Sequence, residues 1–166
     1  MKVDVRWISL GWCSWLAWTV IVAPASAATL GMAGDDAADQ AVVFDADTGT
    51  VLGAVDVGPG SVGDCEVTPD QSLGLIVDFA SRLWLIDLQQ TPPVLASGVN
   101  PVPISNFGVD VDLTPDGRRA VVCGGSEVSV VDVAARAEID TFDLGHDCQV
   151  VDICDDGSVL VGWISI

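Results

Sequence analysis

DVDLTPDGRRAVVCGGSEVSVVD, residues Asp110 to Asp132, decides how the rest of the chain is read. Asp110–Leu113 alternates polar and apolar, as a half-buried strand does. Thr114-Pro115-Asp116-Gly117 is a turn, because proline presets φ at its second position and glycine tolerates a positive φ. Ala120–Cys123 is a second short apolar run. Gly124-Gly125-Ser126 breaks it, and Val128–Asp132 is a third strand.

The same order recurs. Asp64–Gln71 repeats Asp110–Gly117 at an offset of 46 (110 − 64), and Val150–Gly157 is a weaker copy at 40 (150 − 110). Copies of the third strand end at Asp45, Asp87 and Asp132, spaced 42 (87 − 45) and 45 (132 − 87). Short strands recurring at a period in the low-to-mid forties are the mark of propeller blades. The fold class expected is all-β, with β-propeller blades of four antiparallel strands, about three blades plus part of a fourth.

The repeats resemble the YVTN-type β-propeller repeats of bacterial exported proteins. Leu113-Thr114-Pro115-Asp116-Gly117 and Phe44-Asp45-Ala46-Asp47-Thr48-Gly49 carry the likeness. Val121-Val122-Cys123-Gly124 stands where that family has Tyr-Val-x-Asn, and the chain has no tyrosine. The resemblance covers nearly all of the chain beyond the leader and bears on fold more than on function, since such repeats serve many roles.

Met1–Ala27 reads as an export signal. Lys2 and Arg6 precede the uncharged run Trp7–Ala23, and Ala25 and Ala27 make a small-residue cleavage pattern. The expected address is periplasmic, cell-surface or extracellular, with no membrane attachment after cleavage. Blade 1 is then expected over 29–57, blade 2 over 64–97, blade 3 over 110–144 and a partial blade 4 over 150–166. That is fewer than the roughly four to eight blades of a closed propeller. The expectation is an N-terminal fragment whose partners include the remaining blades of the same polypeptide. Blade 1 also lacks an innermost Thr-Pro-Asp strand, which a distant C-terminal segment would supply.

The formal charge of −18 argues against nucleic acid and anionic lipid as partners. Past the leader the chain has four arginines, no lysine and 23 acids. Acids two apart on one strand share a face, as Asp64 and Glu66 do, and Asp110 and Asp112. In propellers of this kind the inner strand starts near the mouth of the central channel. Asp64, Asp110, Asp112 and Asp147 would converge there and could bind Ca²⁺. The competing expectation is that these acids are solvated or cap strand ends by accepting backbone N–H bonds. Asp45–Gly49 is expected to be a turn.

Four cysteines follow the leader, and an oxidising compartment permits disulfides. Cys123 with either Cys148 or Cys154 is a plausible pair across adjoining blades, while burial as free thiols competes with both. No C-x-x-C, G-x-S-x-G or phosphate-binding loop occurs, and His146 is the single histidine. Trp84 and Trp163 are expected to pack between blades. No catalytic set and no cofactor site is visible. The function expected is a binding or scaffold module with a protein or surface ligand. The alternative, implied by related propellers, is a lactonase-like or quinone-dehydrogenase-like enzyme with a metal or cofactor at the channel mouth.

Overall fold

A computed structural model describes residues 28–162, and all its regular elements are strands. The leader and Trp163 lie outside the described residues. The first sheet has the order β1 (Leu30–Asp35), β2 (Gln40–Asp45), β3 (Thr50–Asp56). The second runs β4 (Val62–Val67), β5 (Leu73–Asp78), β6 (Arg82–Asp87), β7 (Val94–Leu95), with β8 (Val102–Pro103) also paired to β6. The third contains β9 (Asp110–Leu113), β10 (Arg119–Asp132) and β11 (Ala137–Cys148). The fourth is the hairpin β12 (Val150–Ile153), β13 (Val159–Gly162). Every pairing among them is antiparallel.

β10 differs from the two strands expected over this stretch, because it is one unbroken run of 14 residues. Fully extended it would span about 46 Å. Its ends nevertheless meet, since the Val133 N–H donates to the Arg118 carbonyl at 3.0 Å. The run therefore folds back midway, where Gly125 takes a φ of +60°. The two limbs correspond to β5 and β6, whose ends are joined in the same way by Leu88 N–H to Ser72 O at 3.1 Å. Glycine is needed at Gly124 for a second reason: a Cβ there would lie 1.6 Å from the Phe107 carbonyl oxygen.

The core explains why LGLIVD and RLWLID read as continuous apolar runs. The sheet that holds them is covered on both faces, so both sets of alternating side chains are buried. Ile76, Trp84 and Ile86 face blade 1 and pack with Val43, Val55 and Val57. Leu75, Val77, Leu83 and Leu85 point the other way and pack with Val111, Leu113, Val122 and Val131 of blade 3. Val121, Cys123 and Val128 form a third cluster with Cys148 and Val151, against blade 4. Trp84 thus packs between blades as expected. Leu75, Ile76, Leu83, Leu85 and Ile86 are sealed from solvent, so blade 2 is the best-covered sheet.

The turns repeat atom for atom. The Thr68 hydroxyl donates to Asp70 Oδ1 at 2.7 Å and accepts the Leu73 N–H at 3.0 Å. Thr114 does the same with Asp116 at 2.7 Å and Arg119 at 3.0 Å. The strand-ending aspartates close turns as well. Asp45 Oδ1 accepts the N–H groups of Asp47 and Thr48, Asp87 that of Gln89, and Asp132 that of Ala135. Asp45–Gly49 is accordingly a turn, with Gly49 at φ +71°.

Candidate functional site

The innermost strands β4, β9 and β12 stand side by side, with β1 against β4. Their acids meet at the seams. Asp110 Oδ2 accepts the Val151 N–H at 2.6 Å, and Asp112 Oδ2 accepts the Ile153 N–H at 2.5 Å. One blade earlier, the Asp64 carboxyl accepts the backbone N–H of Val111. Each inner strand therefore reaches sideways with a carboxyl and takes an amide of the next. A hydrogen bond with a charged acceptor is shorter and about twice as strong as a neutral one. Among the described residues no strand ladder joins these sheets, so the carboxyls add polar links to the few backbone bonds between them, such as Asp64 N–H to Val109 O at 3.2 Å.

The structure brings Asp64, Glu66, Asp110 and Asp112 together. Asp64 is half-buried, and its side chain hydrogen-bonds that of Asp110. Burial first, then that hydrogen bond, raises its pKa to about 6. Below that pKa the protonated Asp64 carboxyl is the donor toward Asp110. Glu66 is also raised, by burial first and then by the charges of Asp112 and Asp64. Asp147 is not among the charges acting on either group. It is exposed near the end of β11, where it lines a cleft of about 250 Å³ with Phe79, Phe107 and Val109. His146 lies beside it, exposed, over a smaller cleft with Leu144 and Val161.

Calcium needs six to eight oxygen ligands. Asp110 and Asp112 each spend an oxygen on a strand amide, which leaves fewer oxygens than such a cage needs. Among the described residues no group of three or more His, Cys, Asp or Glu side chains is arranged to hold a metal ion. Cys65, Cys123, Cys148 and Cys154 are unbridged in this structure. Cys65 packs into the blade 1–2 cluster, and burial, then the adjacent Asp64 and Glu66, push its pKa up to about 11.

The electrostatics of this seam set a pH dependence. Asp64 has a folded pKa of about 6 against an ordinary value of 3.8, so between those values the native state binds the extra proton. Its contribution is full below pH 3.8 and is lost as pH rises through about 6; Glu66 acts in the same direction. Asp70, Asp116 and Asp156 run the other way: hydrogen bonds from Thr68, Thr114 and Ser158 lower them, and their contribution is lost on strong acidification. The melting temperature should therefore rise as pH falls from 7.5 to 5, then drop below about 4. For half-exposed groups the rise is on the order of 1 kcal/mol, or about 2–4 °C. Asp64→Asn should remove most of it. A melting temperature that falls steadily from pH 7.5 to 5 would contradict the shared-proton geometry.

Three polar groups carry weight that the sequence did not announce. Asp78 is buried under Arg82 and Trp84. Asn100 accepts the Leu85 N–H and donates to Leu85 O and Ala96 O, standing in for ladder bonds at the outer edge of β6. Asn106 is buried and donates to Val122 O and Glu127 O at the fold-back of β10. Both asparagines sit near the glycine- and proline-rich connection, where the composition signals irregular backbone that needs side-chain partners.

On the Thr-Pro-Asp rim, adjoining turns leave open clefts. One of about 450 Å³ lies between Thr114–Arg119 and Asp155–Gly157. One of about 280 Å³ lies between Thr68–Leu73 and Asp116–Arg118. Arg118 and Arg119, two of the four arginines past the leader, stand on this rim.

No family model matches the chain, and no curated protein matches it. Solved structures do. Hydrazine synthase of Kuenenia stuttgartiensis superposes with a TM-score of 0.69 at 18% identity, over 78% of this chain and 37% of that one. A functionally unknown protein from Desulfotomaculum acetoxidans superposes with a TM-score of 0.67 at 22% identity, over 80% of this chain and 43% of that one. The chain spans less than half the length of either. At such identities the likeness shows the fold alone: small antiparallel sheets arranged as propeller blades.

Proposed function

We propose that the chain is an exported, YVTN-like β-propeller segment acting as a binding or scaffold module for a protein or surface ligand. One observation carries this reading: Asp64, Asp110 and Asp112 take amides of the neighbouring strand. The acids that a channel-mouth enzyme would turn on substrate or metal are engaged in joining blades. The Thr-Pro-Asp rim is the favoured contact surface. It repeats from blade to blade, as suits a partner laid across several of them. Arg118 and Arg119 give it two of the four cations that this acidic chain carries past its leader. The A-x-A leader supports delivery to the periplasm, cell surface or exterior.

The test is capture from an envelope extract on the immobilised full chain. Wild type should retain a protein that Arg118→Glu/Arg119→Glu retains at least about tenfold less. Equal retention by that variant removes the rim from the proposal. A melting temperature raised by calcium and restored by chelation would instead favour the alternative, as would lactone hydrolysis abolished by Asp64→Ala and Asp110→Ala.

A further inference from the structure

We propose that Cys123 and Cys148 form a disulfide that ties the first limb of β10 to the chain segment leading into blade 4. The two thiols lie in one cluster and act on each other electrostatically. Both are sealed from solvent, at 0% and 1% exposure, within one small cluster that contains Val121, Val128 and Val151. The strands already hold them there, since Cys148 pairs in register with Gly125, two residues beyond Cys123. The other two cysteines lie elsewhere. Cys65 packs between blades 1 and 2, and Cys154 sits in the β12–β13 turn, where its N–H donates to Ser158 O. Of the three pairings that four cysteines allow, this geometry prepares one half of a single pairing and leaves the other two thiols unbridged.

The bond would close a loop of 25 residues (148 − 123) around the blade 3 hairpin. The chemistry is thiol–disulfide exchange. One thiol loses its proton and attacks a sulfur of an oxidant disulfide, releasing that disulfide's other sulfur as a thiolate. The second thiol, also deprotonated, then displaces the remaining oxidant sulfur. In total two thiols yield one S–S bond and two protons, and two electrons reduce the oxidant disulfide to two thiols. Burial raises the pKa of both cysteines in the folded chain, so the folded pair is slow to react. Exchange belongs to folding, or to moments when blade 4 opens. A buried, loop-closing disulfide of this kind is structural, and it resists reduction once the cluster has packed over it.

The test is refolding of the full chain with oxidised glutathione, followed by alkylation under denaturing conditions without reductant. Wild type should retain three alkylatable thiols, Cys13 of the leader and two among Cys65, Cys123, Cys148 and Cys154. Cleavage at aspartates, which separates Cys148 from Cys154 at Asp152, should release one linked pair of peptides holding Cys123 and Cys148. Cys154→Ser should preserve the link and Cys148→Ser should abolish it. The oxidised form should melt about 6–12 °C above the reduced form. Alkylation of all of Cys65, Cys123, Cys148 and Cys154 after oxidation, or a link that contains Cys13, Cys65 or Cys154, would overturn the assignment on the wild-type chain alone.

Discussion

Asp78→Ala should cost about 3–5 kcal/mol, the loss expected when one partner of a buried ion pair is removed. At this chain length that lowers the melting temperature by roughly 6–20 °C. Asp78 is 1% exposed. Its Oδ1 accepts the N–H groups of Ala80 and Arg82 at 2.9 and 3.1 Å, closing the β5–β6 turn. Its Oδ2 accepts Arg82 Nε at 2.7 Å and the Trp84 indole N–H at 2.8 Å. Arg82 in turn donates to Pro59 O at 2.5 Å, and the Asp78 carbonyl accepts the Gly108 N–H at 3.0 Å. One residue thus connects the segment entering blade 2, the blade 2 hairpin, and the segment entering blade 3. Arg82→Ala should cost less, because Trp84 and two backbone amides still hold the carboxylate and the guanidinium is partly exposed. Asp78→Asn should fall between, losing charge but keeping an acceptor. Urea melts of the three variants check the order. Equal losses for Asp78→Ala and Arg82→Ala would mean that the ion pair alone matters, against the hub geometry.

The parts of this architecture that lie close together in sequence were legible there. Thr114-Pro115-Asp116-Gly117 and Thr68-Pro69-Asp70-Gln71 make the same turn, because the hydroxyl and carboxylate that close it are two residues apart. Only one position differs in kind: Gln71 adopts the left-handed φ of +56° that Gly117 takes at +67°. Strand order within a blade followed from the same local logic. The roles of Asp110 and Asp112 were not legible, since their acceptors' partners, Val151 and Ile153, lie 41 residues on. Spacing placed the two acids on one face but could not say what that face met. Convergence on a metal and capping of a neighbouring strand both fitted the spacing. Asp78 was hidden for another reason. It reads as the end of a strand, and only an Asp and an Arg flanking a tight hairpin, in a chain with four arginines beyond its leader, hinted at an ion pair. Cys123 and Cys148 were narrowed to neighbours by blade order, and side-chain packing then separated Cys148 from Cys154.

Blade 4 is where the acids should matter most. β12 and β13 form a two-stranded hairpin, and such a hairpin is marginal alone in water. Its outer apolar side chains Val150, Val159 and Leu160 are exposed, so packing on that side adds little. What holds it is the Val121–Cys123–Val151 cluster and the two carboxylate–amide bonds from β9. Bonds to a charged group contribute about 1.5–3 kcal/mol each, so Asp110→Ala/Asp112→Ala should remove about 3–6 kcal/mol locally. That sum exceeds what a lone hairpin can replace, and blade 4 should detach while blades 1 to 3 stay folded. Native-state hydrogen exchange reads this directly. Val151 and Ile153 amides should lose at least about a hundredfold in protection, each 1.4 kcal/mol being tenfold. Leu85 and Ile86 in blade 2 should change little. The single variant Asp110→Ala should also flatten the acid-side rise in melting temperature, because protonated Asp64 then has no carboxylate to donate to. Unchanged protection at Val151 and Ile153 would mean that the inner acids are bystanders at the seam, and would return them to the pool of groups available to a ligand.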